Sequence, residues 1–550
     1  MKEITIEHWR KFFPLKEVRA EQETAINFVL NAFVNKNKRY CIAEVGVGGG
    51  KSAIAVTVAN FINEYMSLGP GITPGAYILT TQKILQEQYM RDFSRIGMHT
   101  IKSASNYQCK HHINQSCGES KRVLAKLGKQ LEGTDFAKCC KTQCGYTLDK
   151  QAFINAFLGI TNFPYFLSET SYAGKLEPRN LLVIDEAHNT AEVLSSHVEV
   201  TFSERFAKDV LKCKVPTLKT QQDVVDWIGK QYRTALVKYI KSIEKAIESN
   251  LISGSAGFGD FAKQYDMLDK HICKVNRFLE TYNAENWVMN VLKNEDRVKN
   301  KRGFRKFEFK TIDVSGFSHE SLFKFGQYVL LMSATIIDKD IFCRSLGIDA
   351  EQCEFISIPS PFPVENRPVH YFPVGKMSAD SIMTTLPNMV MVIKELLNAH
   401  ATDKGIIHGI NWKIVNYIRD NIKDPRLLIQ DESNRDMILQ KHYESSEPTV
   451  LVSPSMLEGV DLKDDLSRFQ IFCKMPFPYM GDAGVKKRME RDKNWYPYVT
   501  VRSIIQAAGR SIRNDMDHAE TYILDECWET FYRQNRLLFP DTFRASVIKS

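Results

Sequence analysis

Long apolar runs are missing from this sequence. None approaches the ~20 residues that a membrane-spanning helix needs, so we expect no association with a membrane. The first residues, MKEITIEHWRKFF, lack the apolar core of a secretion signal, and we expect an intracellular, cytoplasmic protein. A strong excess of charge is missing too, because a net charge of +8 is mild for 550 residues. Such a balance permits binding to nucleic acid without demanding it.

What is present is the composition of ordinary globular protein, with 43% hydrophobic and 25% charged residues. A chain of 550 residues is too long for one hydrophobic core, so we expect about three or four domains. Only 45 residues precede Gly46, which we consider too few for a fused nuclease domain.

The most informative segment predicts a nucleotide site. An apolar, strand-like run from Tyr40 to Val45 leads into a glycine-rich turn, then Lys51 and Ser52, then a helical run. Backbone N–H groups of such a turn close around phosphates, the lysine reaches the terminal phosphates, and the serine hydroxyl binds Mg²⁺. A purely structural loop is the alternative, but the flanking strand and helix favour nucleotide binding. The glycines of the turn are Gly46, Gly48, Gly49 and Gly50.

A second apolar run, Leu181 to Ile184, delivers Asp185 and Glu186 to a strand end. An aspartate at this place can hold Mg²⁺, and the adjacent glutamate can orient and deprotonate the attacking water. His188 alone is a poor candidate for a ligand. Downstream of a phosphate loop, however, we expect it to sense the γ-phosphate.

Other polar groups are weaker candidates. Arg19 and Gln22, just upstream of the turn, can read adenine with their planar donors and acceptors, although a solvated helix face is the alternative. Thr80, Thr81 and Gln82 follow a short apolar strand and can hold a sugar–phosphate backbone, with helix capping as the alternative.

A cysteine cluster indicates a metal centre. Five cysteines lie within 36 residues, in a stretch from Lys102 to Lys150 with nine Lys or Arg and four Asp or Glu. In a reducing compartment such a cluster favours a metal over disulfides. The spacing matches neither a two-knuckle zinc ribbon nor a bacterial ferredoxin, so zinc and an iron–sulfur cluster both stay open. The five residues are Cys109, Cys117, Cys139, Cys140 and Cys144, and one of the adjacent pair is expected to be a bystander.

The segment from Ala191 to Gly326 has no phosphate-site motif and a mostly helical, polar pattern, with a basic patch between Lys293 and Lys310. A further apolar strand then ends in Ser333 and Thr335, which can link the nucleotide site to a neighbouring domain. The prolines between Pro359 and Pro368 predict a linker and a domain boundary.

The remainder alternates strand-like and helical runs, which predicts a second parallel sheet. Within it Gly459 and Asp461 are candidate nucleotide contacts. Gln506 is followed by Arg510 and Arg513, which are three residues apart on a predicted helix and can point one way, toward a triphosphate. Fixed positive charge at the γ-phosphate is what phosphoryl transfer needs.

Taken together, these segments resemble the XPD/DinG family of superfamily 2 DNA helicases. They come in the family's order and extend over nearly the whole chain. The segments that carry the resemblance are Val18–Gln22, Gly46–Ser52, Leu79–Gln88, Ser105–Cys109, Asp185–His188, Ser333–Thr335, Glu458–Asp461, Met475–Pro478 and Gln506–Arg513.

The resemblance implies an α/β protein with two RecA-like parallel-sheet motor domains. An iron–sulfur domain and a helical arch domain are inserted in the first motor domain. The implied limits are 1–101, 151–190 and 327–358 for motor domain 1, 102–150 for the iron–sulfur domain, 191–326 for the arch, and 359–550 for motor domain 2.

The resemblance also implies ATP-driven movement in the 5′-to-3′ direction on single-stranded DNA, with roles in DNA repair and replication. Its partners are then single-stranded DNA and duplexes with a 5′ single-stranded tail, and we expect a monomeric motor. It favours a 4Fe-4S cluster that is held by Cys109, Cys117, Cys139 and Cys144, with Cys140 as the substitute for Cys139. Tyr107, Phe477 and Tyr479 are candidates for stacking on bases, or else pack in a core.

Two other functions stay open. One is an ATP-dependent translocase that remodels complexes without robust unwinding, or one that acts on RNA. The other is a nucleic-acid-binding scaffold with a silent ATPase, which the joint presence of Lys51, Asp185, Glu186, Arg510 and Arg513 argues against.

Overall fold

The computed structural model describes residues 3–121, 129, 131–174, 176–253, 258–293, 304–457, 460, 462, 464–512 and 516–548. The strands, in chain order, are β1 Tyr40–Val45, β2 Thr73–Thr80, β3 Met98–Ile101, β4 Leu158–Asn162, β5 Arg179–Asp185, β6 Val200–Ser203, β7 Trp287–Lys293, β8 Arg305–Thr311, β9 Gly326–Ser333, β10 Cys353–Ile358, β11 Val369–Gly375, β12 Gly405–His408, β13 Leu427–Ile429, β14 Val450–Ser453, β15 Phe469–Phe472 and β16 Glu520–Asp525.

Helices connect most of these strands. The longer ones are Ala20–Val34, Lys51–Tyr65, Lys83–Phe93, Asp135–Thr142, Gly145–Asn155, Thr190–Val198, Arg233–Ser253, Phe258–Thr281, Lys339–Leu346, Ile382–Ala399, Trp412–Asn421, Arg435–Glu444, Ala483–Arg491, Trp495–Ala508 and Cys527–Asn535; the shorter ones include Ile6–Trp9, Phe163–Ser168, Glu204–Asp209, Gln221–Trp227, Ser315–Ser321 and Asp541–Ser546. None of these helices is long and apolar enough to cross a membrane.

The first sheet is parallel, with the strand order β10-β1-β9-β5-β2-β4-β3. Its central strands are apolar on both faces because helices cover both sides of a parallel sheet. Cys41 and Ala43 of β1 pack in one core, and Ile42 of the same strand packs in the other.

The second sheet is also parallel, with the order β11-β16-β15-β12-β14-β13. Its strands are short apolar runs, and residues of β12 again divide between two cores, with Ile407 in one and Ile406 in the other. The prediction of two parallel-sheet α/β domains is confirmed. Strand β10 ends at Ile358 in the first sheet, and β11 begins at Val369 in the second.

The segment between β5 and β9 carries more than the helices that its polar pattern suggested. Strands β6, β8 and β7 form an antiparallel sheet in that order. The helices Arg233–Ser253 and Phe258–Thr281 share one hydrophobic core with this sheet. Along β8, Phe307 and Phe309 are buried and alternate with charged residues. This period-two pattern is a strand signal that sequence analysis missed. Much of the basic patch between Lys293 and Lys310 lies outside the described residues.

Candidate nucleotide cleft and cysteine module

A cleft of about 1300 Å³ lies where the two parallel-sheet domains face each other. Its walls include Lys51 and Glu186 from the first domain and Gln506 and Arg510 from the second. Strands β1, β5 and β9 are neighbours in one parallel sheet, so the groups at their carboxyl ends meet at one edge. That edge of a parallel sheet is where ligands usually bind.

The glycine-rich turn leads from β1 into the helix Lys51–Tyr65, with Ser52 in the first turn of that helix. Gly48 and Gly50 have φ angles of +84° and +74°, a region that side chains with a Cβ rarely adopt. Gly49 donates a backbone hydrogen bond to the Gly46 carbonyl (3.1 Å), and Gly46 donates one to Ile358 (3.0 Å). The hydroxyl of Ser360, in the linker after β10, donates to the Val47 carbonyl (3.1 Å), so the linker lies directly against the turn.

Arg19 and Gln22 both reach this turn. The Arg19 Nη1 atom donates a hydrogen bond to the Gly48 carbonyl (2.6 Å), and the Arg19 backbone N–H donates to Gln22 Oε1 (3.0 Å). The Gln22 Nε2 atom is buried without a hydrogen-bond partner among the described residues. A Cβ added to Gly50 would lie 2.2 Å from that atom and 2.6 Å from Arg19 Nη2.

Asp185 ends β5 next to the turn. Its carboxylate accepts hydrogen bonds from the Tyr89 hydroxyl (3.0 Å) and from the Glu186 backbone N–H (3.0 Å). Burial, together with the neighbouring Glu186 charge, raises the pKa of Asp185 to about 6, although Lys51 opposes the shift. The side chain is therefore a costly buried carboxylate that a cation would stabilise.

Glu186 lies between the side chains of Lys51 and His188. Its Oε1 atom is 3.8 Å from Lys51 Nζ, and its Oε2 atom is 3.4 Å from His188 Nδ1. The His188 ring nitrogen also lies 2.7 Å from Ser333 Oγ. Burial lowers the pKa of His188 to about 4, so the imidazole is neutral at neutral pH.

The second domain reaches the cleft through the helix Trp495–Ala508. Gln506 Nε2 donates a hydrogen bond to Thr335 Oγ1 of the first domain (2.9 Å). Arg510 lines the cleft while its Nε and Nη1 atoms donate to the carbonyls of Leu457 (2.6 Å) and Val460 (2.5 Å). The predicted nucleotide contacts Gly459, Asp461 and Arg513 lie outside the described residues.

The candidates for binding the nucleic-acid backbone lie close to this cleft. Thr81 and Gln82 line it, and Thr81 Oγ1 is buried without a partner in the described part of the chain. Thr80 is buried, and its hydroxyl donates to the Gln82 carbonyl (3.2 Å). Tyr107 lies elsewhere, in the cysteine module, where its hydroxyl donates to Asp149 (2.8 Å).

The two other aromatic candidates differ from each other. Phe477 packs in a core and stacks on Tyr496, with the ring centroids 6.0 Å apart. Tyr479 is 79% exposed. Of the two, only Tyr479 therefore presents a free aromatic face to solvent.

Sequence analysis missed two further residues of the cleft. Glu44 in β1 accepts hydrogen bonds from the backbone N–H groups of Ile336 and Ile337 (2.5 Å each), just after Thr335. An acidic residue inside the apolar run of β1 was the available signal. Arg367 lines the cleft, and its Nε and Nη2 atoms are buried with no partner among the described residues.

The cysteine module buries most of its cysteines, Cys109 and Cys140 in one core and Cys117 and Cys144 in another. Cys117 Sγ lies 2.9 Å from Cys144 Sγ, and the His112 backbone N–H donates to Cys109 Sγ (3.3 Å). Cys109, Cys117, Cys140 and Cys144 are buried, whereas Cys139 is half-exposed. Across the described ranges, no three His, Cys, Asp or Glu side chains converge closely enough to hold a single metal ion. A donor set of thiols alone fits an iron–sulfur cluster or zinc.

Comparisons with known proteins show which protein families and relatives this chain is similar to. Residues 15–212 match the family model described as "Type III restriction enzyme, res subunit", and residues 408–544 match "Helicase C-terminal domain". The ATP-dependent DNA helicase CHL1 of Debaryomyces hansenii is 23% identical over 443 residues, which cover 65% of this chain and 54% of that relative. The ATP-dependent DNA helicase YoaA of Haemophilus influenzae is 20% identical, over 97% of this chain and 93% of its own length.

Solved structures show the same fold. An XPD helicase structure matches with a TM-score of 0.64 and 16% identity, over 98% of this chain and 100% of that chain. Xpd4 of S. tokodaii matches with a TM-score of 0.54 and 12% identity, over 96% and 99% of the two chains. The chain spans about half the length of the first CHL1 relative, and nearly all of the YoaA relative.

Proposed function

Because this chain belongs to the XPD/DinG family of superfamily 2 helicases, we propose that it is an ATP-dependent DNA helicase. In this proposal it moves 5′-to-3′ on single-stranded DNA and unwinds duplex DNA or a DNA–RNA hybrid. The observation that carries the proposal is the cleft between the two parallel-sheet domains, which brings Lys51 and Glu186 together with Gln506, and Gln506 is hydrogen-bonded to Thr335 across the interface.

The residues of the cleft fit the hydrolysis of ATP. The backbone N–H groups of the glycine-rich turn and Lys51 bind the phosphates, and Arg19 and Gln22 border the turn where a base can be read. Ser52 and Asp185 would hold Mg²⁺, which neutralises phosphate charge when it is bound.

Glu186 is the proposed general base. Its carboxylate is 3.8 Å from Lys51 Nζ, so it lies close to where the terminal phosphate would be, and it takes the proton of the attacking water. The neutral His188 lies between Glu186 and Ser333, and Ser333 is near the Thr335–Gln506 contact. Through this chain of contacts the state of the nucleotide is passed to the second domain.

Arg510 and Arg513 are proposed to complete the site from the second domain when the cleft closes. In the described conformation the Arg510 guanidinium is bound to the carbonyls of Leu457 and Val460, so reaching the phosphate requires exchange of these bonds. Charge delivered at the γ-phosphate in this way contributes about 10³-fold or more in related phosphoryl transfers.

For the cysteine module we propose a 4Fe-4S cluster that is held by Cys109, Cys117 and Cys144. Cys140 is the preferred fourth ligand because it is buried, as the other three are, whereas Cys139 is partly exposed. When bound, the cluster ties the segments around these cysteines into one rigid unit. We propose that this unit is the wedge that separates the strands of the duplex.

The DNA strand is proposed to pass over the end of β2. Thr81 offers a buried hydroxyl without a partner among the described residues, and Thr80 and Gln82 fix the turn around it. The partners are then single-stranded DNA and duplexes with a 5′ tail, bound by a monomeric motor inside the cell.

Unwinding of tailed duplexes tests the proposal. Purified protein is incubated with ATP, Mg²⁺ and a fluorescent duplex that carries either a 5′ or a 3′ single-stranded tail of equal length. We expect strand separation only from the 5′ tail. Separation from the 3′ tail would reverse the polarity, and ATP hydrolysis without separation from either tail would leave a translocase in place of a helicase.

A further inference from the structure

Arg502 joins the two parallel-sheet domains at a place that the proposed chemistry does not use. It lies one helical turn before Gln506 on the helix Trp495–Ala508, so both side chains point to the first domain. The Arg502 Nη1 atom donates a hydrogen bond to the backbone carbonyl of His188 (2.9 Å), and Nη2 forms an ion pair with Glu192.

The environment makes this contact strong. The Arg502 side chain is only 7% exposed, whereas that of Glu192 is 49% exposed. Burial favours the neutral carboxyl, but the charge and hydrogen bond of Arg502 outweigh it and lower the pKa of Glu192. A charge-assisted pair with little solvent around the guanidinium is costly to break, since the arginine is left buried without its counter-ion.

The contact also acts on the catalytic segment. Arg502 holds the peptide carbonyl of His188, whose ring lies 3.4 Å from Glu186, and Glu192 lies on the next helix, Thr190–Val198. A change in the distance between the domains therefore breaks the ion pair and releases the backbone next to Glu186.

We propose that Arg502 is a positioning residue that, with Glu192, holds the Asp185–His188 segment in place only when the two domains are correctly docked. Stimulation of ATP hydrolysis by single-stranded DNA then depends on this contact, while binding of ATP does not. The inference rests on the proposed ATPase.

Four variants test it: Arg502→Gln, Arg502→Lys, Glu192→Gln and the Arg502→Gln/Glu192→Gln double variant. Glu192 is half-exposed, so Glu192→Gln is the variant least prone to misfold. The matched control is Arg344→Gln, because Arg344 of the first domain also pairs with a residue of the second domain, Asp492 (3.3 Å), and this pair includes no residue of the Asp185–His188 segment. The melting temperature of each variant is measured first.

We expect Arg502→Gln to lower the DNA-stimulated kcat about tenfold, with the KM for ATP within about twofold of wild type. Glu192→Gln should cause a smaller loss of the same kind. The double variant should be no slower than Arg502→Gln, because the two residues act through one contact. Arg502→Lys should restore part of the rate, since lysine keeps the charge but lacks the fork that serves both partners.

Additive losses in the double variant, a loss in KM alone, or an equal loss in Arg344→Gln would overturn the inference while leaving the ATPase in place. If the wild-type protein itself shows no DNA-stimulated hydrolysis, both the proposed function and the inference fail.

Discussion

Gly50 shows how single residues shape the nucleotide cleft. Its φ of +74° and its distances to Gln22 and Arg19 leave no space for a Cβ. Gly71 has nearly the same φ, +72°, but an added Cβ would meet nothing within 4 Å. The two glycines therefore share a backbone cost for substitution and differ in the contacts around them.

We predict that Gly50→Ala weakens the binding of a fluorescent ATP analogue by about tenfold or more. The added Cβ strains the backbone at its positive φ and also collides with the side chains of Gln22 and Arg19. Gly71→Ala should leave binding unchanged and cost only about 1 to 2 kcal/mol of stability. Titration of the analogue by fluorescence, with melting temperatures as a check, compares the two. Equal weakening by both variants would show that backbone strain alone explains the effect.

The buried carboxylate of Asp185 costs stability when no cation is bound to it. Its raised pKa means that the folded protein holds a proton more tightly than the unfolded chain, so its contribution to stability falls as pH rises from about 4 to about 6. We predict that Asp185→Asn raises the melting temperature of the metal-free protein at pH 7.5 by about 2 °C or more and abolishes ATP hydrolysis.

The difference in melting temperature should shrink below pH 5, where the wild-type carboxyl is protonated as well. Differential scanning calorimetry in the presence of a chelator follows this across pH. A variant that is less stable than wild type at pH 7.5 would contradict the assignment of Asp185 as a costly buried charge.

At the scale of elements, sequence patterns located strands that are mostly apolar. Runs such as Tyr40–Val45 and Leu181–Ile184 correspond to β1 and β5, because buried parallel strands need no alternation. Strands β3, β4, β10 and β11 were not predicted, and neither was the sheet of β6 to β8. The edge strands β3 and β11 carry polar residues such as His99 and His370, which conceal the strand signal.

The residues of the candidate site also fall into two groups, those that could be predicted from the sequence and those that could not. The residues of the glycine-rich turn were recognisable because they follow one another in sequence, and the same holds for the residues at the end of β5. Arg367 and Arg502 were not recognisable, because their positions depend on segments that are distant in sequence and meet only in the folded chain, as Arg502 meets His188. Glu44 was marked only as an acidic residue in an apolar run, and its contact with Ile336 again joins distant segments. No local pattern encodes such contacts.

The helix Asp135–Thr142 carries two adjacent cysteines that differ in their exposure to solvent. Neighbouring residues on a helix point in directions about 100° apart. Cys140 faces the buried region, and Cys139 is half-exposed. We predict that Cys140→Ser loses iron and acid-labile sulfide in anaerobically purified protein, whereas Cys139→Ser retains both.

Iron content per chain and the visible absorption spectrum are the measurements. Retention of iron by Cys140→Ser, with loss in Cys139→Ser, would reverse the choice of ligand. Zinc in place of iron in the wild-type protein would contradict the proposed iron–sulfur cluster. It would leave the assignment of the nucleotide cleft unchanged.

At the scale of the whole molecule, the nucleotide cleft exists only because two parallel-sheet domains face each other. The first contributes the glycine-rich turn and Glu186, and the second contributes Gln506 and Arg510. Contacts such as Gln506 with Thr335 and Arg502 with Glu192 connect the two domains. A cycle of closing and opening around ATP is therefore the expected source of movement along DNA.

The most direct test of this account is ATP hydrolysis by the wild-type protein and by Lys51→Ala, with and without single-stranded DNA. The control is Lys324→Ala, which removes a lysine that pairs with Glu320 at the surface, near the opposite end of the first sheet. We expect DNA-stimulated hydrolysis by wild type and by Lys324→Ala, and a rate at least about 100-fold lower in Lys51→Ala. Retained, strand-stimulated turnover in Lys51→Ala would contradict the assignment of the cleft as the ATPase site.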